Sequence, residues 1–409
     1  MQYPTTFSDL RSSEIEPGQS FYHPELDILR FFAFFAVFIH HALPRNATFY
    51  IDGGLSPTAT EWLLAAKSAG AFGVDLFFAL SAFLITELLR REYVSRGKFS
   101  LSNFYIRRAL RIWPLYFTFI AAVAFVIPNI LPEDKFGPAY VISFALFFGN
   151  WICVTSGLPF SVASPLWSIS VEEQFYFGWP LLLRVFGMNL IKQLAIGMLA
   201  VALAVRVLLA ALGVEGAGVW CNTLARLDPI ALGALLAFVL RGRTPNLNTA
   251  YRILLCGLAV ASWLLVARYM SKDGPTSIIS YAVSALASVS LLIAFLTTNS
   301  GFLYRPPFTW LVYLGRISYG LYVFHLFALT LLSELLVIPV LQIQLNFERR
   351  LLFSFLLTVI LAAVSYRWLE QPFLRLKKRF SYKASGEKDA RRGSPGATQG
   401  GVGDFARAS

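Results

Sequence analysis

Ten long runs of mostly apolar residues divide the chain, separated by polar segments or by Pro and Gly. A helix that crosses a bilayer needs about 20 mostly apolar residues. Only 14% of the 409 residues are charged, whereas about a quarter of a soluble domain usually is. The runs lie at 28–44, 69–89, 110–131, 166–187, 191–213, 227–240, 251–270, 277–297, 310–334 and 351–370. We therefore predict an all-α integral membrane protein, a polytopic bundle of about ten transmembrane helices forming one membrane domain over 23–380.

Positive charge gathers in short segments beside these runs, which predicts topology because cytoplasmic loops are rich in Lys and Arg. The richest segment follows the second run and holds Arg90, Arg91, Arg96, Lys98, Arg107, Arg108 and Arg111. A second tract, Arg375, Lys377, Lys378 and Arg379, follows the last run and is also suited to anionic lipid headgroups. Both segments are expected on the cytoplasmic side, so both termini are predicted to be cytoplasmic. The net charge of +12 then reflects orientation in the bilayer and not nucleic-acid binding.

Three segments are expected to lie outside the ten spans. Residues 139–152 form a short apolar stretch, which we interpret as an interfacial or re-entrant helix because an even number of spans is required. Residues 1–22 are predicted to be a cytoplasmic N-terminal segment. Residues 381–409 are rich in Gly, Ser, Ala and Arg without apolar periodicity, which predicts a disordered cytoplasmic tail.

The first run carries two ionisable residues on one face. Arg30 and His41 are eleven residues apart, close to three helical turns, which is about 16 Å along the axis. Ionisable residues inside a membrane usually face the protein interior or a wet cavity. His41 is therefore a candidate general base, since an imidazole titrates near neutral pH. The alternative is that Arg30 snorkels to one surface and His41 sits at the other interface.

The second run contains Asp75 within apolar sequence, preceded by Gly70 and Gly73. The glycines predict a close approach to a neighbouring helix. A carboxylate in this position needs a partner. Two interpretations are open: Asp75 orients His41, or it forms a structural ion pair with an arginine.

At the start of the third run, Arg107, Arg108 and Arg111 form a candidate site for phosphates. Arg108 and Arg111 are nearly one helical turn apart, and the guanidinium fork suits phosphate oxygens. A nucleotide-like donor bearing a pyrophosphate is therefore one reading of this cluster. A plain positive-inside cluster is the other.

Polar residues gather at the start of the fourth run, which is expected on the outer side. Trp167, Ser168, Ser170 and Glu172 are candidates for binding a hydroxylated acceptor, and Ser168 and Glu172 share a helix face. The alternative is an ordinary hydrated helix start. His325, inside the ninth run, is a further candidate for lining the same cavity.

The cysteines Cys153, Cys221 and Cys256 lack the close spacing and neighbouring histidines of a metal cluster or a disulfide framework. We expect packing roles for them and no metal ion. No internal repeat of the kind found in many transporters is present in the sequence.

Taken together, seven segments resemble the membrane-bound acyltransferase-3 family. They are LDILR with Arg30 before His41, FGVDLFFALSAFLIT, FYIRRALRIWPLYF, PLWSISVEEQFYFGWP, RLDPIALGALLA, LGRISYGLYVFH and EQPF, and they extend from about residue 23 to 375. Ala82 stands where the family commonly has Gly. The resemblance implies about ten membrane helices, an acyl-CoA donor on the cytoplasmic side and a histidine essential for transfer, here His41. Some members carry a C-terminal soluble hydrolase-like domain, which this sequence is expected to do without.

The resulting hypothesis is a bacterial inner-membrane O-acyltransferase with acetyl-CoA or another acyl-CoA as the donor. Coenzyme A phosphates are expected near Arg108 and Arg111, with the thioester directed along the Arg30 face to His41. The acceptor hydroxyl is expected on an extracytoplasmic glycan, a lipid-linked sugar or an exported metabolite. The alternatives are a transporter or flippase for an anionic solute or lipid-linked sugar, and a binding or scaffold protein. The oligomeric state, the acyl chain length and direct transfer versus an acyl-histidine intermediate stay open.

Overall fold

The computed structural model describes residues 23–270, 273–296, 308–335 and 347–380, which form helices and loops and contain no strand. The predictions for 1–22 and 381–409 fall outside these residues. The helices are α1 (Pro24–Ala42), α2 (Ala47–Asp52), α3 (Pro57–Ala69), α4 (Gly73–Arg96), α5 (Leu101–Phe125), α6 (Pro138–Ala145), α7 (Gly149–Ser156), α8 (Trp167–Phe186), α9 (Ile191–Ala211), α10 (Ala217–Trp220), α11 (Leu227–Leu240), α12 (Thr249–Tyr269), α13 (Ser277–Phe295), α14 (Phe308–Arg316), α15 (Ser318–Leu335), α16 (Phe347–Ser365) and α17 (Gln371–Lys377). The all-helical prediction is confirmed for this part of the chain.

Six helical segments of the described chain are long and apolar enough to cross a membrane, or seven if the bent pair α14 and α15 counts as one span. The six are Pro57–Arg96, Leu101–Phe125, Met188–Ala211, Thr249–Tyr269, Ser277–Phe295 and Phe347–Lys377. The protein is therefore a multi-pass membrane protein. Helices α1 and α8 differ from the six because each carries three or more charged residues, and α11 is only 14 residues long.

Helix α1 is surrounded by other helices, because it packs against α3, α4, α13, α14 and α15. Phe34 and Phe38 are almost completely buried, whereas Phe32 and Phe35 on another side of the helix are exposed. The predicted close approach at Gly70 and Gly73 is confirmed. A Cβ atom at either glycine would lie 2.3 Å from a backbone oxygen of α1, that of Ala36 or Ala33.

Three predicted segments differ in form from a simple span. Residues 139–152 are divided between α6 and α7, which have eight residues each. At 1.5 Å per residue each is about 12 Å long and too short to cross a bilayer of about 30 Å, as the interfacial interpretation requires. The predicted run 310–334 is not one straight helix, since α14 and α15 meet at an angle of 77°. The second predicted run, 69–89, is the middle of a longer helical segment that extends over Pro57–Arg96.

Candidate active site

A small cavity near the start of α1 brings together basic, acidic and tyrosine side chains from five helices. We call it the arginine cavity; its volume is about 90 Å³. Its polar lining consists of Arg30, Ser81, Arg108, Arg111, Ser168, Glu172, Tyr176, Ser318, Tyr319 and Tyr322. This is well below the about 300–1,000 Å³ usual for small-molecule sites, so the space admits a narrow chain but not a bulky group.

The charged groups of the arginine cavity are unevenly paired. Arg30 donates to Asp27 across 3.0 Å, whereas Arg108 and Arg111 form no ion pair within 4 Å to any described residue. The Glu172 carboxylate accepts hydrogen bonds from the Ser81 hydroxyl at 2.8 Å and from the Tyr176 hydroxyl at 3.2 Å. Two cations therefore face this cavity with capacity for an anionic ligand.

A second, larger cavity lies toward the other end of α1, and we call it the histidine cavity. Its volume is about 660 Å³, within the usual range for binding sites of small molecules. Its polar and aromatic lining includes His40, His41, Arg45, Glu133, Asp134, Ser161, Ser164, Trp167, Trp220, Tyr322, Thr330 and Glu334. Part of its wall is the loop before α6, where Asp134 accepts a hydrogen bond from the backbone N–H of Val162 at 2.7 Å. Burial raises the pKa of this loop carboxyl.

The hydrogen bonds of His41 define which of its nitrogens carries the proton. Its Nδ1 lies 2.9 Å from the carbonyl oxygen of Val37. Because a carbonyl oxygen only accepts, Nδ1 is the protonated nitrogen of the neutral ring. The Nε2 atom is then unprotonated and suited to accept a proton from a substrate.

His325 is fully buried beside His41 and is oriented in the same way. Its Nδ1 lies 2.6 Å from the carbonyl oxygen of Tyr322, so Nδ1 is the donor and Nε2 an acceptor. That Nε2 lies 3.3 Å from Nδ1 of His41. The His41 N–H is therefore shared between Val37 and His325, and His325 orients the ring from behind instead of lining the cavity.

Val74 and Tyr322 line both cavities and mark the place where they adjoin. The hydroxyls of Tyr322 and Ser168 are 2.7 Å apart, and each lies close to the carbonyl oxygen of Pro165, at 3.0 and 3.1 Å respectively. Tyr322 is thus held at the junction by two neighbours. The arginine cavity, the junction and the histidine cavity follow one another along α1.

The predicted acceptor residues are divided between the cavities. Trp167 lines the histidine cavity, whereas Ser168 and Glu172 line the arginine cavity. Ser170 is fully buried and lines neither cavity. Helix α8 begins at Trp167 beside the histidine cavity, Ser168 lies at the junction against Tyr322, and Glu172, more than a turn further on, lines the arginine cavity. Ser168 and Glu172 thus lie apart from Trp167, and their role in binding an acceptor stays a prediction.

Two further predicted residues have structural partners. Asp75 is buried, forms an ion pair with Arg226, and accepts a hydrogen bond from Ser284 at 2.6 Å. The geometry therefore supports the interpretation of Asp75 as a member of a structural ion pair. It does not support a role for Asp75 in orienting His41. Arg107 donates to Glu92 at 3.1 Å and to the backbone oxygen of Phe380 at 2.9 Å, and it does not line the arginine cavity.

Several polar residues of the cavities were not predicted from the sequence. Ser81 and Tyr176 hold Glu172, and Tyr319 and Tyr322 line the arginine cavity. A hydroxyl group inside an otherwise apolar run was the available signal, since a buried hydroxyl needs a hydrogen-bond partner. Arg45 and Trp220 of the histidine cavity lie in loops or short helices, where helical periodicity gives no signal.

The helical bundle with its two adjoining polar cavities defines a class, that of multi-pass membrane proteins with ionisable groups along an internal path. Residues 23–367 match the acyltransferase domain family, acyltransferase 3. The chain therefore belongs to the acyltransferase-3 family, as the motif resemblance predicted.

Relatives in this family include two acetyltransferases of known name. The peptidoglycan O-acetyltransferase OatA of Listeria monocytogenes is 28% identical over 380 residues, which cover 86% of this chain and 56% of the relative. The O-acetyltransferase OatA of Staphylococcus aureus is 27% identical over 381 residues, which cover 86% of this chain and 57% of the relative. The chain thus spans little more than half the length of these curated relatives. No solved structure matches the chain significantly.

Proposed function

We propose that the protein is a transmembrane O-acyltransferase that moves an acyl group, acetyl by default, from acyl-CoA to a hydroxyl beyond the membrane. The observation that carries this proposal is the orientation of His41, whose unprotonated Nε2 belongs to a residue lining the larger cavity. The arginine cavity, with Arg108 and Arg111, supports a phosphate-bearing donor at the opposite end.

The topology proposed for this function has ten spans. They are α1, the segment over α3 and α4, α5, α8, α9, α11, α12, α13, the bent pair α14 and α15, and the segment over α16 and α17. Both termini and the arginine cavity are cytoplasmic, as the positive charge of the Arg90–Arg111 segment favours. The membrane is the bacterial inner membrane, where cytoplasmic acyl-CoA is available.

In the proposed reaction, His41 Nε2 takes the proton of the acceptor hydroxyl as the oxygen attacks the thioester carbonyl carbon. The new C–O bond forms, the C–S bond breaks, and the coenzyme A thiolate recovers the proton from the imidazolium. His325 is suited to support this cycle, because its neutral Nε2 accepts from the His41 Nδ1–H. The competing route has Nε2 attack the thioester first and form an acyl-histidine. General base catalysis of this kind contributes about 10²- to 10⁴-fold.

The proposed acceptor is a carbohydrate hydroxyl, of which peptidoglycan is the leading example. The support is the Listeria relative, whose name specifies that acceptor. A cavity of about 660 Å³ with two tryptophans in its lining, Trp167 and Trp220, is suited to a sugar-sized group.

The test compares wild type, His41→Ala, His325→Ala and His23→Ala in membrane vesicles supplied with radiolabelled acetyl-CoA and a soluble peptidoglycan fragment. We expect His41→Ala to lose acetyl transfer by at least about a hundredfold. His325→Ala is expected to lower kcat and to change KM little, because it removes the group that orients the His41 ring and no contact to the substrate. His23→Ala is the matched control, since this imidazole lies before α1 and lines neither cavity.

The variants are to be compared at equal amounts of folded protein, judged by gel filtration in detergent. Wild-type transfer by folded His41→Ala would refute the assignment of His41. Uptake of an anionic solute without release of coenzyme A thiol would instead favour the transporter.

A further inference from the structure

Trp220 lies in the wall of the histidine cavity on a short piece of helix. It is the last residue of α10, which has only four residues, and it is partly exposed. One turn of helix is not stable by itself, so the direction of this ring depends on what its side chain touches. The ring of Trp167, which lines the same cavity, meets it edge-on with 5.9 Å between the ring centroids.

A buried arginine lies against the Trp220 ring. The guanidinium carbon of Arg226 is 4.0 Å from the centroid of that ring and 4.8 Å from the centroid of Tyr281 in α13. Both distances are within the limit of about 6 Å for a cation–π contact, in which tryptophan is the strongest partner. Arg226 is fully buried and lines neither cavity. It therefore covers one face of Trp220 from the protein interior and acts on the cavity only through this ring.

The guanidinium is held by a carboxylate from another helix. Asp75 of α4 forms an ion pair with Arg226 and accepts a hydrogen bond from Ser284 of α13 at 2.6 Å. Bringing two charges into a protein interior is costly, and well-packed apolar residues are often at least as stable there. Stability alone is thus a weak reason for this ion pair. A fixed cation behind a ring of the cavity wall has a more definite effect, because it restricts the orientation of that ring.

A second buried ion pair has the same chemistry without this connection. Arg206 of α9 pairs with Asp228 of α11 and donates to the backbone oxygen of Ala225 at 2.9 Å. Its guanidinium carbon is 5.9 Å from the centroid of Tyr281. None of these four residues lines either cavity. This second pair therefore serves as a comparison for a purely structural role.

We propose that the Asp75–Arg226 ion pair is a positioning element of the acceptor site, which holds the Trp220 ring as a stacking surface for a sugar ring of the acceptor. The inference rests on the proposed function for the acceptor being a carbohydrate. The apolar C–H face of a sugar ring packs well on the large, flat surface of an indole. A ring that is already fixed loses little conformational freedom when a ligand stacks on it, so the ion pair lowers the Kd of the acceptor.

The test measures binding by the purified full chain in a neutral detergent and needs no turnover. Isothermal titration gives the Kd for a soluble peptidoglycan fragment and, separately, for coenzyme A. The double variant Asp75→Asn/Arg226→Met removes both charges together, so no unpaired charge is left in the interior. We expect it to raise the Kd for the fragment about tenfold, because the Trp220 ring must then be ordered on binding. The Kd for coenzyme A should stay within about threefold.

Arg206→Met/Asp228→Asn is the matched control, and we expect it to leave both Kd values within about threefold. Arg226→Lys is a milder second variant, because it keeps the charge opposite Asp75 and loses the planar group that covers the ring. It too is expected to weaken binding of the fragment and not of coenzyme A.

A double-mutant cycle separates positioning from a general loss of structure. Trp220→Leu alone should weaken binding of the fragment at least as much as loss of the ion pair does. In the Trp220→Leu background, Arg226→Lys should have little further effect, because no indole ring is left to position.

Four results would overturn the proposal. They are a wild type that does not bind the fragment, unchanged binding in Arg226→Lys, equal losses in the two ion-pair variants, and additive losses in the cycle. A wild type that binds the fragment through Trp220 but transfers no acetyl group would refute the proposed function and leave this binding surface standing.

Discussion

Arg30 and His41 lie on one face of α1, but their partners come from different helices. Arg30 pairs with Asp27 one turn earlier on α1 and lines the arginine cavity. His41 is oriented by the carbonyl of Val37 and by His325 of α15. The spacing of eleven residues predicted the shared face, because helical periodicity is a property of one segment. That periodicity could not predict His325 of α15 as a partner of His41, because the two residues lie on different helices.

The same reasoning explains why three neighbouring arginines lie in different surroundings. Arg107, Arg108 and Arg111 are equally basic in sequence, yet only the last two line the arginine cavity. Consecutive residues on a helix point about 100° apart, so Arg107 and Arg108 differ in direction. The packing of α17 and α8 against α5 decides which of these arginines faces the cavity. That packing cannot be read from a single sequence.

At this scale the three arginines provide a prediction. We expect Arg111→Ala and Arg108→Ala each to raise the KM for acetyl-CoA by about ten- to a hundredfold, because each removes a charge-assisted contact to phosphate. Arg107→Ala is expected to leave that KM within about threefold while lowering the thermal stability of the detergent-solubilised protein, since it releases Glu92 and the Phe380 carbonyl. Initial-rate kinetics and a melting curve on each variant provide the two measurements.

A common increase in KM for all three variants would contradict the division between cavity and structural arginines. A loss of kcat without any change in KM would argue against phosphate binding altogether.

At the scale of elements, the contact between α1 and the helical segment over α3 and α4 fixes where His41 lies. Gly70 and Gly73 let the two backbones approach so closely that neither position has space for a Cβ atom. This contact was foreseeable, because small residues in membrane helices favour close packing. The bend between α14 and α15 was not foreseeable, because the two polar residues that flank it, Arg316 and Ser318, lie within a run that is mostly apolar.

The close contact gives a second prediction. We expect Gly73→Ala to destabilise the protein by about 1–3 kcal/mol, because its Cβ would lie 2.3 Å from the Ala33 oxygen and force α1 outward. Acetyl transfer should fall as well, since His41 moves with α1. The measurements are the melting temperature in detergent and the transfer rate.

Gly197→Ala is the matched control for this effect. A Cβ at Gly197, in α9, meets no atom within 4 Å. The substitution should be neutral or slightly stabilising, because alanine favours a helix over glycine by up to about 1 kcal/mol. Equal losses of stability for the two variants would show that the close contact with α1 is not the cause.

On the scale of the whole molecule, the two cavities give the bundle a direction. Ser95 is exposed near the end of α4, about three helical turns beyond Leu84 of the arginine cavity. Ser156 is exposed at the end of α7, two residues before Leu158 of the histidine cavity. The apolar runs predicted a multi-pass bundle because hydropathy is summed over whole segments. They did not predict how α8 descends from one cavity to the other, because that depends on packing between distant segments.

The predicted orientation is testable with single cysteines. In a Cys256→Ser background, which leaves only the buried Cys153 and Cys221, we expect Ser156→Cys to react with a membrane-impermeant maleimide on intact cells. Ser95→Cys should react only after permeabilisation, because the Arg90–Arg111 segment is expected to be cytoplasmic. The reverse labelling pattern would place the arginine cavity outside, out of reach of cytoplasmic acyl-CoA.

The junction at Val74 and Tyr322 also bears on the energy balance of the cell. Two polar cavities that adjoin inside a membrane bundle would conduct protons if the junction between them were open. Such a pathway would dissipate the ion gradient across the membrane. The two residues that line both cavities are Val74 and Tyr322, and the Tyr322 hydroxyl is held by Ser168 and the Pro165 carbonyl. If the proposed function holds, donor and acceptor meet at this junction, and the same narrow place limits the passage of ions between the two cavities.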